Sequence, residues 1–156
     1  MKPVNQEPIR VVAHLRGGKL IKGQLSLPAL KDLDALKQQP TRLPDKVPVQ
    51  PEGSPDTVEI GVDSLKALFF VKKYEGRTDY KEFKYFNFTP QVEGLWVRIT
   101  FYDNERTEGV IHNSMQFLVD PGFFIKPPDP ESNNEMAYVI KSSLVEFRVL
   151  GVKSSY

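Results

Sequence analysis

Two stretches of this chain, far apart in the sequence, carry the same pattern. Residues 9–25 and 95–111 stand at a constant offset of 86 positions (95 − 9). Ile9, Val11, Ala13 and Leu15 correspond to Leu95, Val97, Ile99 and Phe101. Gly17 and Gly18 correspond to Asp103 and Asn104, Gly23 to Gly109, and Leu25 to Ile111. Apolar residues at every second position mark a strand with one buried face. The Gly-Gly or Asp-Asn pair that follows tolerates the positive φ of a tight hairpin turn. A glycine inside the return strand has nothing to pack, so its use is a bend or a close backbone approach. Each stretch therefore predicts a β-hairpin with a bent second strand.

A second match follows in the same order. Residues 64–71 align with residues 143–150 at an offset of 79 (143 − 64), each opening on Ser-Leu. Strand-like residues precede both, at 58–62 and 137–140. The fall in offset places extra chain in the first copy, around residues 28–56. Two matches in one order predict an internal duplication. The expected fold is all-β: two tandem SH3-like or Sm-like small β-barrel modules, with one short helix in the first. The first module takes residues 8–73 with a long proline-rich insertion. Residues 74–94 are an aromatic and charged connector, and residues 95–153 are the second module.

Between these anchors the signals are local. Leu30, Leu33 and Leu36 share one helical face, so residues 29–38 predict a short helix between Pro28 and Pro40. Proline-rich residues 39–56 read as an extended, mobile surface loop. The connector carries Tyr74, Tyr80, Phe83, Tyr85, Phe86 and Phe88, too many aromatics for a free linker. It is expected to pack on a module, with an added strand over 83–88. Residues 115–119 and 123–126 predict a strand pair around Asp120-Pro121-Gly122, and residues 127–135 a loop.

Composition narrows the function. A chain of 156 residues with 40% apolar and 26% charged residues can pack a core. Ten glycines and thirteen prolines favour many turns. A net charge of +1 gives no general support for a phosphate-rich partner. The absence of cysteine removes disulfides, thiol catalysis and thiolate metal sites. Residues 1–10 hold no signal-like apolar stretch, and runs such as 67–71 are too short to span a bilayer. The expectation is a cytoplasmic protein with no membrane partner.

The module order resembles the Sm-like small barrels, including their bacterial Hfq branch. The likeness is carried by Val97-Arg98-Ile99-Thr100-Phe101-Tyr102-Asp103-Asn104, Glu108-Gly109-Val110-Ile111 and Tyr138-Val139-Ile140-Lys141-Ser142-Ser143-Leu144. That resemblance implies RNA binding. Of the Tyr-Lys-His set such proteins place before the final strand, only Lys141 is matched, within Ile140-Lys141-Ser142. A second resemblance is to an uncharacterised bacterial module found alone or beside PilZ-type regulatory domains. It rests on Phe101-x-Asp103, Glu108-Gly109, Pro121-Gly122-Phe123-Phe124, Pro127-x-Asp129-Pro130-x-Ser132-Asn133-Asn134-Glu135, and residues 65–72 with Glu75-Gly76. It implies a bacterial regulatory or accessory context and no activity. The Arg-x-x-x-Arg motif by which PilZ domains hold cyclic dinucleotides does not occur.

Candidate sites follow from residue type. His14 and His112 are expected on outward strand faces, with no further ligands at metal spacing. No nucleophile elbow or phosphate loop occurs, and Asp103, Glu105 and Glu108 read as a solvated acidic turn. The expectation is a non-enzyme with no cofactor and no metal. Trp96, Arg98, Thr100 and Tyr102 share the strand face opposite the apolar set, an arrangement suited to a protein interface. Lys72, Lys73, Arg77, Lys81 and Lys84 interleave with aromatics, as in single-strand nucleic-acid binders, though acidic residues dilute them. Asn133 and Asn134 are candidates for orienting a ligand or for closing their own loop. The leading expectation is a binding module whose ligand is a protein or a second copy. RNA or nucleotide binding is the alternative.

Overall fold

The structure, a computed structural model, describes residues 8–27, 43–74, 85–86, 94–113, 115–129 and 132–153. These form ten strands: β1 (Arg10–Leu15), β2 (Leu20–Leu25), β3 (Lys46–Pro51), β4 (Val58–Gly61), β5 (Leu65–Val71), β6 (Gly94–Phe101), β7 (Arg106–Ile111), β8 (Gly122–Ile125), β9 (Asn134–Ile140) and β10 (Leu144–Lys153). One short helix, α1 (Met115–Val119), precedes β8. Single 3-10 turns at Val62–Ser64 and Lys141–Ser143 precede β5 and β10. The protein is all-β, in two antiparallel sheets. One has the order β4-β3-β2-β1-β5-β9-β8 and the other β10-β6-β7.

The alternation at 9–15 and 95–101 does make buried faces. Val11, Ala13, Val97 and Ile99 are fully enclosed. The hairpin turns use positive φ at Gly17, Gly18 and Asn104. The two halves share further local contacts at the offsets read from sequence. The Leu15 amide donates to the Lys19 carbonyl, and the Phe101 amide to the Glu105 carbonyl. Arg16 N–H donates to the Ser64 carbonyl, and Tyr102 N–H to the Ser143 carbonyl. Leu15 pairs with Leu65 and His14 with Ala67, leaving Lys66 as a bulge. Phe101 pairs with Leu144 and Thr100 with Glu146, leaving Val145 as a bulge.

Gly23 and Gly109 explain their place in the return strands. A Cβ on Gly23 would fall onto the Gln50 carbonyl and lie 2.9 Å from Pro51 Cα in β3. A Cβ on Gly109 would fall onto the Ile125 side chain and 2.7 Å from the Lys126 carbonyl oxygen. At Gly23 the third strand's backbone passes where a side chain would be, and at Gly109 the Ile125 side chain does, with the Lys126 carbonyl beside it.

The halves are joined by β5 and β9, paired from Ala67↔Val139 to Val71↔Asn134. Leu65, Leu68, Phe70, Met136, Tyr138 and Ile140 enter one core, with Val11, Val47 and Ile60. Ala67, Phe69, Ala137 and Val139 enter the other, with Val97, Ile99 and Phe123. The two central strands are buried on both faces, as their near-continuous apolar sequences require.

Four local expectations change or fall outside view. Within the supposed mobile loop at 39–56, Lys46–Pro51 is a strand between β2 and β4. Val47 and Val49 alternate into the core, and this outweighs Pro48, whose carbonyl still accepts from Ser26 N–H. Residues 115–119 are helical rather than a strand. Phe117 packs inward there, on Phe123 and Phe147, while Leu118 and Val119 face solvent. The expected helix at 29–38 lies outside the described residues. So does the expected strand at 83–88, apart from Tyr85 and Phe86, which are not in a strand.

Gly109→Ala should lower stability by about 1–3 kcal/mol through overpacking, and Gly23→Ala by at least as much because its obstacle is backbone. Gly53→Ala, with nothing near its Cβ, should cost less than either, about 1–2 kcal/mol, for its positive φ alone. Chemical denaturation of the three variants checks the order. Equal losses at all three positions would disprove the close-approach account.

Candidate functional site

The sequence places Trp96 and Arg98 on the outer face of β6, and hairpin register sets Glu108 of β7 directly opposite Arg98. Glu108 is only 3% exposed. Its Oε1 accepts from Trp96 Nε1–H at 2.9 Å and from the Phe86 amide at 3.2 Å. Its Oε2 accepts from Arg98 Nε–H and Nη2–H at 3.2 and 3.0 Å. A buried carboxylate is costly unless its lone pairs are filled by such donors. Phe86 packs edge-on against Trp96 at 6.2 Å, and the Arg98 guanidinium lies 5.9 Å from the Tyr85 ring centre. Tyr85 and Phe86 of the connector thus lie against the Trp96–Arg98 row, which is half-buried and engaged internally.

Tyr102 stands apart, exposed in the β6–β7 turn, with the Arg16 guanidinium 5.9 Å from its ring centre. Arg16 also donates to Ser142 Oγ at 2.6 Å. Lys141 sits in the adjacent 3-10 turn with Nζ 4.9 Å from the Phe117 ring centre. Arg16, Tyr102, Lys141 and Ser142 therefore gather at one end of the molecule.

Asn133 is a loop clasp. It accepts from Lys73 N–H through Oδ1 at 2.9 Å and donates to the Lys73 carbonyl through Nδ2 at 2.8 Å. Its own carbonyl accepts from Lys72 N–H. Lys72 and Lys73 are held through their backbones while their side chains remain exposed. Asn134 starts β9, and its amide donates to Ser132 Oγ at 2.9 Å. Arg77 lies outside the described residues, as do Lys81 and Lys84.

Two of the residues read as solvated are exposed and also engaged. Asp103 and Glu105 hold the buried ammonium of Lys66, at 2.8 and 3.4 Å. That ammonium also lies 4.5 Å from the Phe101 ring centre. Lys66 was not singled out from sequence, although a lysine inside the apolar run 65–71 is the signal that finds it. His14 is half-buried against Phe69, with ring centres 4.5 Å apart, rather than solvated. His112 is exposed. Burial, followed by the Lys66 charge, holds the His14 imidazole below its ordinary value of 6.5. The hydrogen bond from Lys66 leads the causes that hold Asp103 below 3.8.

These features define a small all-β protein whose buried charges tie its strands, turns and connector together. The chain belongs to the family of unknown function DUF6982, which it matches over residues 7–151. No curated protein and no solved structure matches it. No helix among the described residues is long and apolar enough to cross a membrane.

Glu108→Ala should cost about 2–3 kcal/mol by leaving the buried donors of Trp96 and Arg98 unpaired. Trp96 is the only tryptophan, so its emission should also shift to the red as Phe86 detaches. An unchanged spectrum would refute the clasp between connector and strand.

A second expectation concerns pH. His14 has a folded pKa below its unfolded one, so its contribution is complete above pH 6.5 and is lost as pH falls toward the folded value. Asp103 acts in the same direction, but only below the ordinary carboxylate range. Between about pH 7.5 and about pH 5, unfolding midpoints should fall, and His14→Gln should flatten that slope. Equal slopes in both proteins would contradict it.

Proposed function

We propose that this chain is a non-catalytic interaction module of a bacterial regulatory or accessory protein, acting in the cytoplasm by binding a protein partner. The observation that carries this is a set of exposed apolar side chains on a framework whose buried charges are already engaged. Leu118 and Val119 of α1 and Val145, Val149 and Val152 of β10 face solvent. Phe117 stacks on Phe147 at 5.0 Å and so sets α1 beside β10. Apolar surface gathered in one region is a feature of interaction sites. The Trp96 row is not the proposed surface, because Glu108, Tyr85 and Phe86 occupy it.

The same reading takes the chain as two copies of one SH3-like or Sm-like barrel unit. It is supported by the recurrence of turn bonds, bulges and close-approach glycines at matching positions. The bacterial regulatory context rests on the resemblance of residues 121–135 to the module found beside PilZ-type domains.

A second reading, RNA or nucleotide binding, is favoured by one grouping. Tyr102 offers an exposed ring beside Arg16, with Lys141 in the neighbouring turn. A stacking ring flanked by cations suits an unpaired base.

The test is a photoreactive residue at position 118, 152 or 19 in cells of the source organism. Discrete protein adducts are expected from 118 and 152 and not from 19, which lies in the first hairpin turn. Adducts absent at both test positions would sink the interaction reading. Salt-sensitive retention of mixed RNA, abolished by Arg16→Glu, would favour the second reading instead.

A further inference from the structure

We propose that β10 is a homodimerisation edge, along which two copies of this chain pair antiparallel about a two-fold axis at Phe147. This rests on the interaction reading above and narrows its partner to a second copy.

The two sheets end in four edge strands, of which β7 and β8 meet each other through the Val110↔Lys126 bridge, leaving β4 and β10 as the outer edges among the described residues. They differ sharply. β4 is four residues long, preceded by Pro55 and carrying exposed Glu59. Short length, proline and charge are devices that discourage strand addition. β10 is ten residues long, and Val145, Val149 and Val152 on it are 65%, 48% and 63% exposed. A long edge with exposed apolar residues is a template for another strand.

The first half shows what this position can accept. β5 pairs with β1 as β10 pairs with β6, with a bulge at the matching place. The outer edge of β5 is covered by β9, and its bulge residue Lys66 reaches across to Asp103 and Glu105 of the other half. The outer edge of β10 carries no strand among the described residues, and its bulge residue Val145 points to solvent.

The sequence of β10 is complementary to itself when reversed. Around Phe147 it reads Val145-Glu146-Phe147-Arg148-Val149. Antiparallel pairing centred on Phe147 sets Glu146 opposite Arg148 of the second copy, and Arg148 opposite its Glu146. Phe147 then meets its counterpart, and Val149 lies beside the bulged Val145 of the second copy. Directly opposed residues of an antiparallel pair lie on one face, where opposite charges attract and β-branched pairs pack. A two-fold interface demands this kind of self-complementarity. Among the described residues Glu146 and Arg148 pair with each other, at 3.3 Å, with side chains 41% and 58% exposed. The stretch Glu146–Val149 is also the regular part of the strand, lying between the two register shifts. Leu118 and Val119 on the adjacent helix extend the apolar area beyond the strand edge.

The experiment is light scattering behind size-exclusion chromatography on the whole chain over a concentration series. A species of twice 17.8 kDa is expected. Arg148→Glu alone, or Glu146→Arg alone, turns two attractive pairs into repulsive ones and should weaken dimerisation about tenfold or more. The double variant E146R/R148E restores opposite charges and should recover the dimer, a rescue that general damage to the fold would not produce. Glu59→Arg on the other edge should change nothing. Monomers at every concentration, a dimer indifferent to both single substitutions, or larger species dissolved by Glu59→Arg would each overturn the proposal. Monomers that still form adducts through position 118 or 152 would remove the dimer and leave the broader interaction reading standing.

Discussion

The pairing of β5 with β9 is the constraint on which the rest of the molecule depends. Each strand sends alternate side chains into two different cores. Tyr138, Met136 and Ile140 serve the core of the first half, although they come from the second. Burying one such side chain is worth about 1.5–3 kcal/mol, and here that gain is available only when both halves are in place. Strand pairing adds backbone hydrogen bonds that cannot be made by either half alone. The halves are thus interlocked through their centre rather than strung together by the connector.

The buried charges follow the same logic. Lys66 leaves β5 at a bulge and meets the acidic turn between β6 and β7. Glu108 draws Trp96, Arg98 and the Phe86 amide onto one carboxylate. Each charge would be costly if left alone in the interior. Each is matched by donors or acceptors from a part of the chain that packing by itself positions less sharply, a turn in one case and a connector in the other. The consequence for function is a subtraction. Lys66, Glu108, Trp96 and Arg98 are already engaged, and the described surface that stays exposed includes the β10 edge, the tip of α1 and the Arg16–Tyr102 pair.

Much of the strand framework was legible because alternation and turn chemistry are local. Val11, Ala13, Val97 and Ile99 announce a buried face by spacing alone, and Gly17, Gly18 and Asn104 announce the turns. Gly23 and Gly109 were readable as close approaches, though not what approached. β3 was hidden because three prolines between 48 and 55 outweighed two valines in a local reading. Residues 115–119 were misread because a short apolar run fits strand and helix equally. Glu108 was placed in a solvated acidic turn, yet counting back from the Asp103-Asn104 turn sets it opposite Arg98. Lys66 had no local signal of its partner, which lies in the other half of the chain.

What the amino-acid sequence determined by itself is the all-β character, the hairpins, and the repeated order of strand, turn and glycine-bearing return strand. These follow from side-chain period and backbone preference, which act within a few residues. The tertiary structure alone decided that β9 would lie against β5, that the Trp96 row would be covered by Tyr85 and Phe86, and that Lys66 would be buried beside Asp103. Such outcomes depend on which distant surfaces can exclude water together. No window of neighbouring residues carries that information.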